Sequence, residues 1–293
     1  MTLPSSSSPP DAQGPKELQS VLTQLPSVEI LIAIAVRAGQ EILNVGTLDD
    51  IGIVHKADDS PVTNADYASH RLIERELGLL NLGWPIVSEE GNIPPYEERK
   101  EWETFWLVDP LDGTKEFIDG TDRFGVNIAL IHQGRPVFGL MHFPAKEQTF
   151  CATKGHGAFV YNKEGLKQPL KNHDPLVKGH TLRVLGTAAE PSERLDHLME
   201  HWGKDFSPLE WVSLSGPFKF CWLALGQVEV YPRCGPSAEW DTAPPEVILG
   251  EIGCRIVSYP EFVPLSYNKP EFSNPWFVCG LPTLWETLKP TSV

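Results

Sequence analysis

Phe105-Trp106-Leu107-Val108-Asp109-Pro110-Leu111-Asp112-Gly113-Thr114 passes from large apolar side chains straight to a pair of carboxylates. The run Phe105 to Val108 predicts a short buried strand. Pro110 has no N–H for a sheet ladder, so the strand is expected to stop at Asp109. Asp109 and Asp112 then sit on a sharp turn at a strand's carboxyl end, with the Leu111 carbonyl between them free to face inward. Hard oxygen ligands so closely spaced suit Mg²⁺, which is held by one or two carboxylates and keeps other positions for water and substrate phosphate. Gly113 and Thr114 follow with free backbone N–H groups, a nest able to take a phosphate oxygen. An ordinary Asp-Pro-x-Asp-Gly connector satisfies the same residues. Partners elsewhere in the chain decide between the two.

The chain has 293 residues, enough for one large or two modest domains with a full core. A hydrophobic content of 41% and nine Trp indicate a globular protein. A net charge of −15 disfavours broad nucleic-acid binding, which needs a basic surface. For a polyanionic substrate, that charge calls for metal ions to offset repulsion. The five Cys are odd in number and scattered without a C-x-x-C pair, which points to reduced thiols in a cytoplasmic protein and not to zinc. No H-E-x-x-H, P-loop or G-x-S-x-G pattern occurs, and no apolar run reaches membrane-spanning length. Residues 1–16 begin with a Ser/Pro-rich stretch and are expected to be a disordered tail.

Along the chain, 17–25 and 27–45 read as helices, the second with a nearly continuous apolar face (Val28, Leu31, Ile32, Ala35, Val36, Ile42, Leu43). A polar loop, 56–66, enters a third helix that ends near Gly83. Pro85 to Ser88 reads as a strand finishing on Glu89 and Glu90, and 92–103 as a charged loop. Strands are expected at 124–131 and 137–143, with a hairpin over 148–152 and 158–162. The polar stretch 163–179 is the expected boundary between an N-terminal half (17–165) and a C-terminal half (166–293). The second half alternates strand 182–186, helix 190–203, strand 210–214, helix 216–226, strand 228–232, helix 243–252 and strand 254–258. Strand 276–280 and a short terminal helix close it. Such alternation argues for an α/β layered arrangement.

Three features join the opening stretch. Glu89 lies at another strand's carboxyl end, where open sheets place ligand sites, although most Glu-Glu pairs are solvated surface acids. Asp241, in Trp240-Asp241-Thr242-Ala243-Pro244-Pro245, stands just before a predicted helix and is equally an N-cap candidate. Thr63-x-x-Asp66 reads first as a capping box.

Glu89, Asp109-Pro110-Leu111-Asp112-Gly113-Thr114 and Trp240-Asp241-x-Ala243 resemble the metal motifs of the lithium-sensitive inositol monophosphatase superfamily. The order and distances of these motifs along the chain fit that family too. Within it, the chain is most similar to the CysQ-type 3′(2′),5′-bisphosphate nucleotidases, through 112–117, 126–131, Lys219-Phe220-Cys221 and 225–236. The resemblance covers roughly residues 25 to 280. It implies an α/β (α+β) fold, the layered α-β-α-β-α sandwich of the inositol monophosphatase and fructose-1,6-bisphosphatase type. It implies Glu89, Asp109, the Leu111 carbonyl, Asp112 and Asp241 as Mg²⁺ ligands for two or three ions, with Li⁺ as inhibitor. Asp66 and Thr114 match the pair that orients and deprotonates the attacking water, which displaces the capping box as the sole reading of Asp66. Gly113 and Thr114 would touch the scissile phosphate, and Lys219, Arg233 and, more loosely, Ser213 would lie on the nucleotide side. Glu89, Leu111, Asp112 and Asp241 would border the substrate as well.

The implied activity is removal of the 3′-phosphate from adenosine 3′,5′-bisphosphate, or from its sulfated form, by a metal-activated water. Sibling activities on inositol phosphates or fructose 1,6-bisphosphate stand as alternatives. A non-catalytic phosphonucleotide or metal sensor is the alternative from another class. The implied partner is a small phosphonucleotide, without nucleic acid or membrane, in a monomer or homodimer. Two departures from the family pattern stand out: Pro244-Pro245 after Ala243, expected as a rigid first turn of a helix, and Gly216-Pro217 in place of a Ser-rich approach to Lys219.

Overall fold

In a computed structural model, which describes residues 14–47, 51–56, 59–186 and 193–286, the opening apolar run lies inside a seven-stranded sheet. The N-terminal elements are α1 (Gly14–Gln24), α2 (Val28–Gly46), a small hairpin of β1 (Val54–His55) and β2 (Pro61–Val62), α3 (Asn64–Leu79), β3 (Ile86–Ser88) and α4 (Tyr96–Arg99). Then come β4 (Thr104–Asp112), α5 (Thr114–Ile118), β5 (Gly125–His132), β6 (Arg135–Phe143), β7 (Gln148–Thr153), β8 (Ala158–Tyr161) and β9 (Lys167–Pro169). The C-terminal part holds β10 (Leu182–Gly186), α6 (Glu193–Trp202), β11 (Leu209–Ser213), α7 (Phe218–Ala224), β12 (Val230–Arg233), α8 (Glu239–Gly250), β13 (Arg255–Ser258) and β14 (Phe277–Gly280).

The first sheet runs β3-β4-β5-β6-β7-β8-β9, with only the β3–β4 pair parallel. The second runs β11-β10-β12-β14-β13, parallel about β10 and antiparallel about β14. Period-two alternation along the central strands divides the core. Trp106, Val108, Ile128 and Leu130 face Leu31, Ile34, Ala38 and Ile42 of α2 and Leu72, Ile73 and Leu77 of α3. Phe105, Leu107, Ala129 and Ile131 face the opposite way, onto α7 and α8. The far side of the second sheet packs on Leu198 and Trp202 of α6. The layers therefore read α-β-α-β-α, as the family resemblance implies. No single helix among the described residues is long and apolar enough to cross a membrane.

Several elements differ from the sequence reading. The strand containing Phe105 to Val108 does not stop at Asp109: Asp109 still pairs with Asn127, and Asp112 with Gly125, around an irregularity at 110–111. A bulge there tolerates Pro110, because the residues it displaces leave the ladder. The first sheet also continues past residue 165, since Lys167 to Pro169 pair with Phe159 to Tyr161. The loop 92–103 contains the single turn of α4, and 56–66 contains half of the β1–β2 hairpin. Helix α8 begins at Glu239 and not at 243, which places Pro244 and Pro245 in its interior and not in its first turn. Of the tail expected over 1–16, residues 14–16 belong to α1, while 1–13, positions 57–58 of the polar loop and the start of the helix expected over 190–203 lie outside the described residues.

Helix α8 lies directly on the first sheet. A Cβ built on Gly139 of β6 would stand 2.7 Å from the Pro244 Cα and 2.9 Å from its carbonyl carbon, with the oxygen closer still. Both neighbours are backbone and cannot rotate away, so Gly139→Ala should cost about 1–3 kcal/mol by overpacking. The check is denaturant unfolding of the two proteins: an unchanged midpoint would mean that helix and strand are not in this contact.

Candidate active site

The turn after Val108 is held from three sides. Asp109 Oδ1 accepts from the Leu111 N–H at 3.0 Å, an Asx-type turn that fixes the chain's reversal. Ser69 of α3 donates to the Pro110 carbonyl at 2.7 Å. Asn127 of β5 donates to Asp112 Oδ2 at 2.7 Å. Gly113 then takes φ +89°, and a Cβ there would meet Pro217 and the Arg123 carbonyl, so the turn requires glycine.

The other half of the site is the first turn of α8. Asp241 is the third residue of that helix and not the residue before it, and its Oδ2 accepts from the Ala238 N–H at 2.8 Å. Asp241 therefore stands inside the first turn, bonded to the residue before the helix, and is not the N-cap itself. Fully buried Glu239 fixes this turn to the loop before β14, accepting from the Asn268 N–H at 2.6 Å and from Lys269 Nζ at 2.6 Å.

Oxygens of Asp109, Asp112 and Asp241 all lie within 4.8 Å of one another. Burial, followed by the charges of Glu89 and Asp112, pushes the Asp109 carboxyl well above its ordinary range. Burial and Asp241 do the same to Asp112. Asp241 is pushed up to about 7, chiefly by burial, against the opposing Ala238 hydrogen bond. Buried like charges are stable in ionised form only when a concentrated positive charge sits among them. An all-oxygen donor set selects a hard divalent ion over a soft one, so these residues fit Mg²⁺.

Glu89 stands at the end of β3, close enough to the trio to raise all three acids. Its carboxylate accepts from Lys56 Nζ at 2.8 Å, and the same ammonium reaches Glu90 at 2.5 Å. Burial would lower the Lys56 pKa, but the two glutamates raise it overall. Lys56 was not singled out in the sequence; its signal was only that it opens the polar loop ahead of Asp66. Leu111 buries its side chain against the α2–α3 layer, while its carbonyl lies 3.3 Å from Thr114 Oγ1.

Asp66 is 1% exposed and is shared between two tasks. Oδ2 accepts from the Thr63 N–H at 2.8 Å and the Thr63 hydroxyl at 2.7 Å, the capping box expected from the spacing. Oδ1 accepts from Thr114 Oγ1 at 3.0 Å. Burial raises the Asp66 pKa, and the hydrogen bonds from Thr63 and Thr114 act against that rise.

A cleft of about 340 Å³ opens beside the trio, lined by Asp112, Gly113, Lys219, Tyr231, Arg233 and Asp241, among others. Lys219, 6% exposed, lies over the Tyr231 ring at 5.1 Å. Arg233 donates to the Pro236 carbonyl at 2.6 Å. Ser213 is not part of this lining: it ends β11, exposed at the edge of the second sheet, and Ser215 with Gly216 lines the cleft instead. Lys115, missed in the sequence, also lines it, directly after the turn. Other clefts, among them two of about 370 and 710 Å³, lie away from the acidic trio.

The model describing the inositol monophosphatase family matches residues 24–272. The chain is similar to the 3′(2′),5′-bisphosphate nucleotidase CysQ of Escherichia coli strain K12, 38% identical over 251 residues, covering 83% of this chain and 95% of that protein. The Haemophilus influenzae protein of the same description is 37% identical over 225 residues, 76% of this chain and 81% of its own. Among solved structures, CysQ from Bacteroides thetaiotaomicron, described as a bacterial member of the inositol monophosphatase family, matches with a TM-score of 0.73 at 31% identity, covering 86% of this chain and 96% of that one. The Bartonella henselae protein SuhB matches with a TM-score of 0.70 at 20% identity over 90% of this chain and 98% of that one, a likeness of fold.

Proposed function

The chain belongs to the inositol monophosphatase family, and on that premise we propose that it is a Mg²⁺-dependent 3′(2′),5′-bisphosphate nucleotidase. The reaction removes the 3′-phosphate of adenosine 3′,5′-bisphosphate and leaves AMP and phosphate. The observation that carries this reading is the meeting of Asp109 and Asp112 with Asp241, under a cleft that also holds Lys219 and Arg233. Identity of 38% with a nucleotidase, across most of both chains, supports the substrate class.

In this reading Asp109, Asp112 and Asp241, joined by Glu89 and the Leu111 carbonyl, hold two or three Mg²⁺ ions. When bound, Mg²⁺ lowers the pKa of a water and neutralises developing charge on phosphoryl oxygens. The remaining work falls to the chain's own groups. Thr114 commits its hydroxyl hydrogen to Asp66. Its oxygen lone pair is thereby turned outward, ready to accept a hydrogen bond from the attacking water, whose proton passes toward Asp66. Water oxygen bonds to phosphorus, the P–O3′ bond breaks, and the ribose 3′-oxygen leaves as a hydroxyl after protonation from solvent. The N–H groups of Gly113 and Thr114 orient the transferring phosphoryl group. Lys219 and Arg233 offset the second phosphate, which the acidic chain otherwise repels.

The test is phosphate release, with and without Li⁺, from adenosine 3′,5′-bisphosphate, its sulfated form, inositol monophosphate and fructose 1,6-bisphosphate in the presence of Mg²⁺. The bisphosphonucleotide is expected to turn over fastest, and Li⁺ to inhibit. Faster turnover of inositol monophosphate would overturn the substrate assignment, and absence of turnover on every substrate would favour a binding role.

A further inference from the structure

Asn127 is an amide set in the most apolar strand of the protein. Every residue of β5 is buried, and Asn127 itself is 0% exposed among Val126, Ile128, Ala129, Leu130 and Ile131. A carboxylate only accepts, so the amide nitrogen is the end that faces Asp112, at 2.7 Å from Oδ2. The same nitrogen makes a longer contact, 3.5 Å, with the Trp240 carbonyl in the first turn of α8. Across the ladder, Asn127 is the residue paired with Asp109.

The Trp240 carbonyl is open for a covalent reason. In a regular helix it would accept from the N–H four residues on, which is position 244, and Pro244 has no N–H. The prolines that the sequence placed in the first turn of α8 therefore release a carbonyl next to Asp241, and Asn127 of the sheet points a donor at it. Its two N–H bonds join Asp112 to the residue before Asp241, across a sequence separation that nothing local bridges.

The other end of the side chain argues that Asn127 is not kept for stability. Among the described residues no donor reaches Oδ1, which is buried. An unpaired buried acceptor opposes folding, whereas an apolar group of similar shape does not.

We propose that Asn127 is a positioning residue of the active site: it fixes the Asp112 carboxylate and ties it to the start of α8, so that Asp112 and Asp241 present their free oxygens to one divalent ion. The inference rests on the metal-site reading above and adds to it the group that sets the spacing between ligands from the two halves. Groups in this position typically change metal affinity or activity by about 10–100-fold when lost.

The experiment is calorimetric titration of Mg²⁺ into substrate-free protein, for wild type, Asn127→Leu, Asn127→Ser and Asp112→Asn, with thermal unfolding of each in EDTA. Asn127→Leu is expected to weaken Mg²⁺ binding about 10–100-fold while its metal-free Tm equals or exceeds that of wild type. Asn127→Ser retains a short donor and is expected to recover part of that affinity, which a purely space-filling role would not predict. Wild-type Mg²⁺ affinity in Asn127→Leu, with binding lost in Asp112→Asn, would overturn the positioning role and leave the metal site standing. Wild-type affinity in both variants would overturn the metal site itself. A marked fall in metal-free Tm for Asn127→Leu would assign the residue to the core instead.

Discussion

Asp112→Asn is expected to lower Mg²⁺-dependent phosphate release by about 10²–10³-fold, the scale of losing one preorganised electrostatic group at a transition state. The fold should survive, and in the absence of metal it should become more stable. Burial is the largest cause holding Asp109, Asp112 and Asp241 above the ordinary carboxylate range; the Asp112 and Asp241 charges add to it at Asp109, Asp241 at Asp112, and Glu89 at all three. An amide at 112 keeps the side chain's shape and its partner Asn127 but has no charge to be held against burial and Asp241. Metal-free Tm should rise by about 2–4 °C for each kcal/mol of repulsion relieved, as is typical of domains of 150–250 residues. Added Mg²⁺ should reverse the order. At one hundred times Kd, a ligand bound only by the folded state stabilises it by about 2.7 kcal/mol, and Asp112→Asn should gain far less. Scanning fluorimetry with EDTA and with Mg²⁺ reads both signs. Equal Mg²⁺ stabilisation of the two proteins, with wild-type turnover in the variant, would remove Asp112 from the metal site.

Thr114→Val should lower kcat by roughly 10²–10⁴-fold, the usual span for a positioned proton acceptor, with Mg²⁺ affinity nearly unchanged. Valine keeps the volume but ends the 3.0 Å hydrogen bond to Asp66 Oδ1 and leaves no oxygen to orient a water. Asp66 keeps its two bonds from Thr63, so the start of α3 stays capped. The split between kcat and metal affinity separates this residue from the ligands, whose loss moves both. Steady-state kinetics alongside Mg²⁺ titration measures it. A Thr114→Val enzyme with wild-type kcat would place water activation elsewhere.

These two residues were legible in the sequence because they belong to local patterns. Asp112 follows an apolar run and a proline, and Thr114 follows the glycine of the same turn. The layered fold was legible for a similar reason. The apolar run from Phe105 to Val108, the strand pattern over 126–131 and the apolar face of α2 state on their own that these segments are buried. Reading Pro110 as a strand terminator failed because a bulge relieves the need for its missing N–H, and the ladder resumes at Asp112. Pro244 and Pro245 misled the start of α8 in the opposite sense. Prolines suit a first turn, yet here a partner from β5 reaches the carbonyl that one of them orphans, and Asp241, three residues before Pro244, accepts from the Ala238 N–H at the helix start.

What the sequence did not reveal depends on tertiary contacts between distant segments. Lys56 meets Glu89 and Glu90 only because the β1–β2 hairpin folds over the end of β3. Asn127 looks like a polar lapse in a buried strand until Asp112 and Trp240 are seen on either side. Ser213 entered only as the looser nucleotide-side candidate of the family resemblance, and β11 is an edge strand on which it is exposed. Side-chain chemistry confined to one turn can be read from one turn; chemistry shared by two sheets and a helix cannot.

In the proposed reaction the acidic turn and the start of α8 hold Mg²⁺ and direct water to a 3′-phosphate. Product identification from adenosine 3′,5′-bisphosphate, with Mg²⁺ and again in excess EDTA, tests it most directly. Adenosine 5′-monophosphate and one phosphate per turnover are expected with Mg²⁺, and neither in EDTA. Adenosine 3′-monophosphate as the product, or an undiminished rate in EDTA, would contradict it.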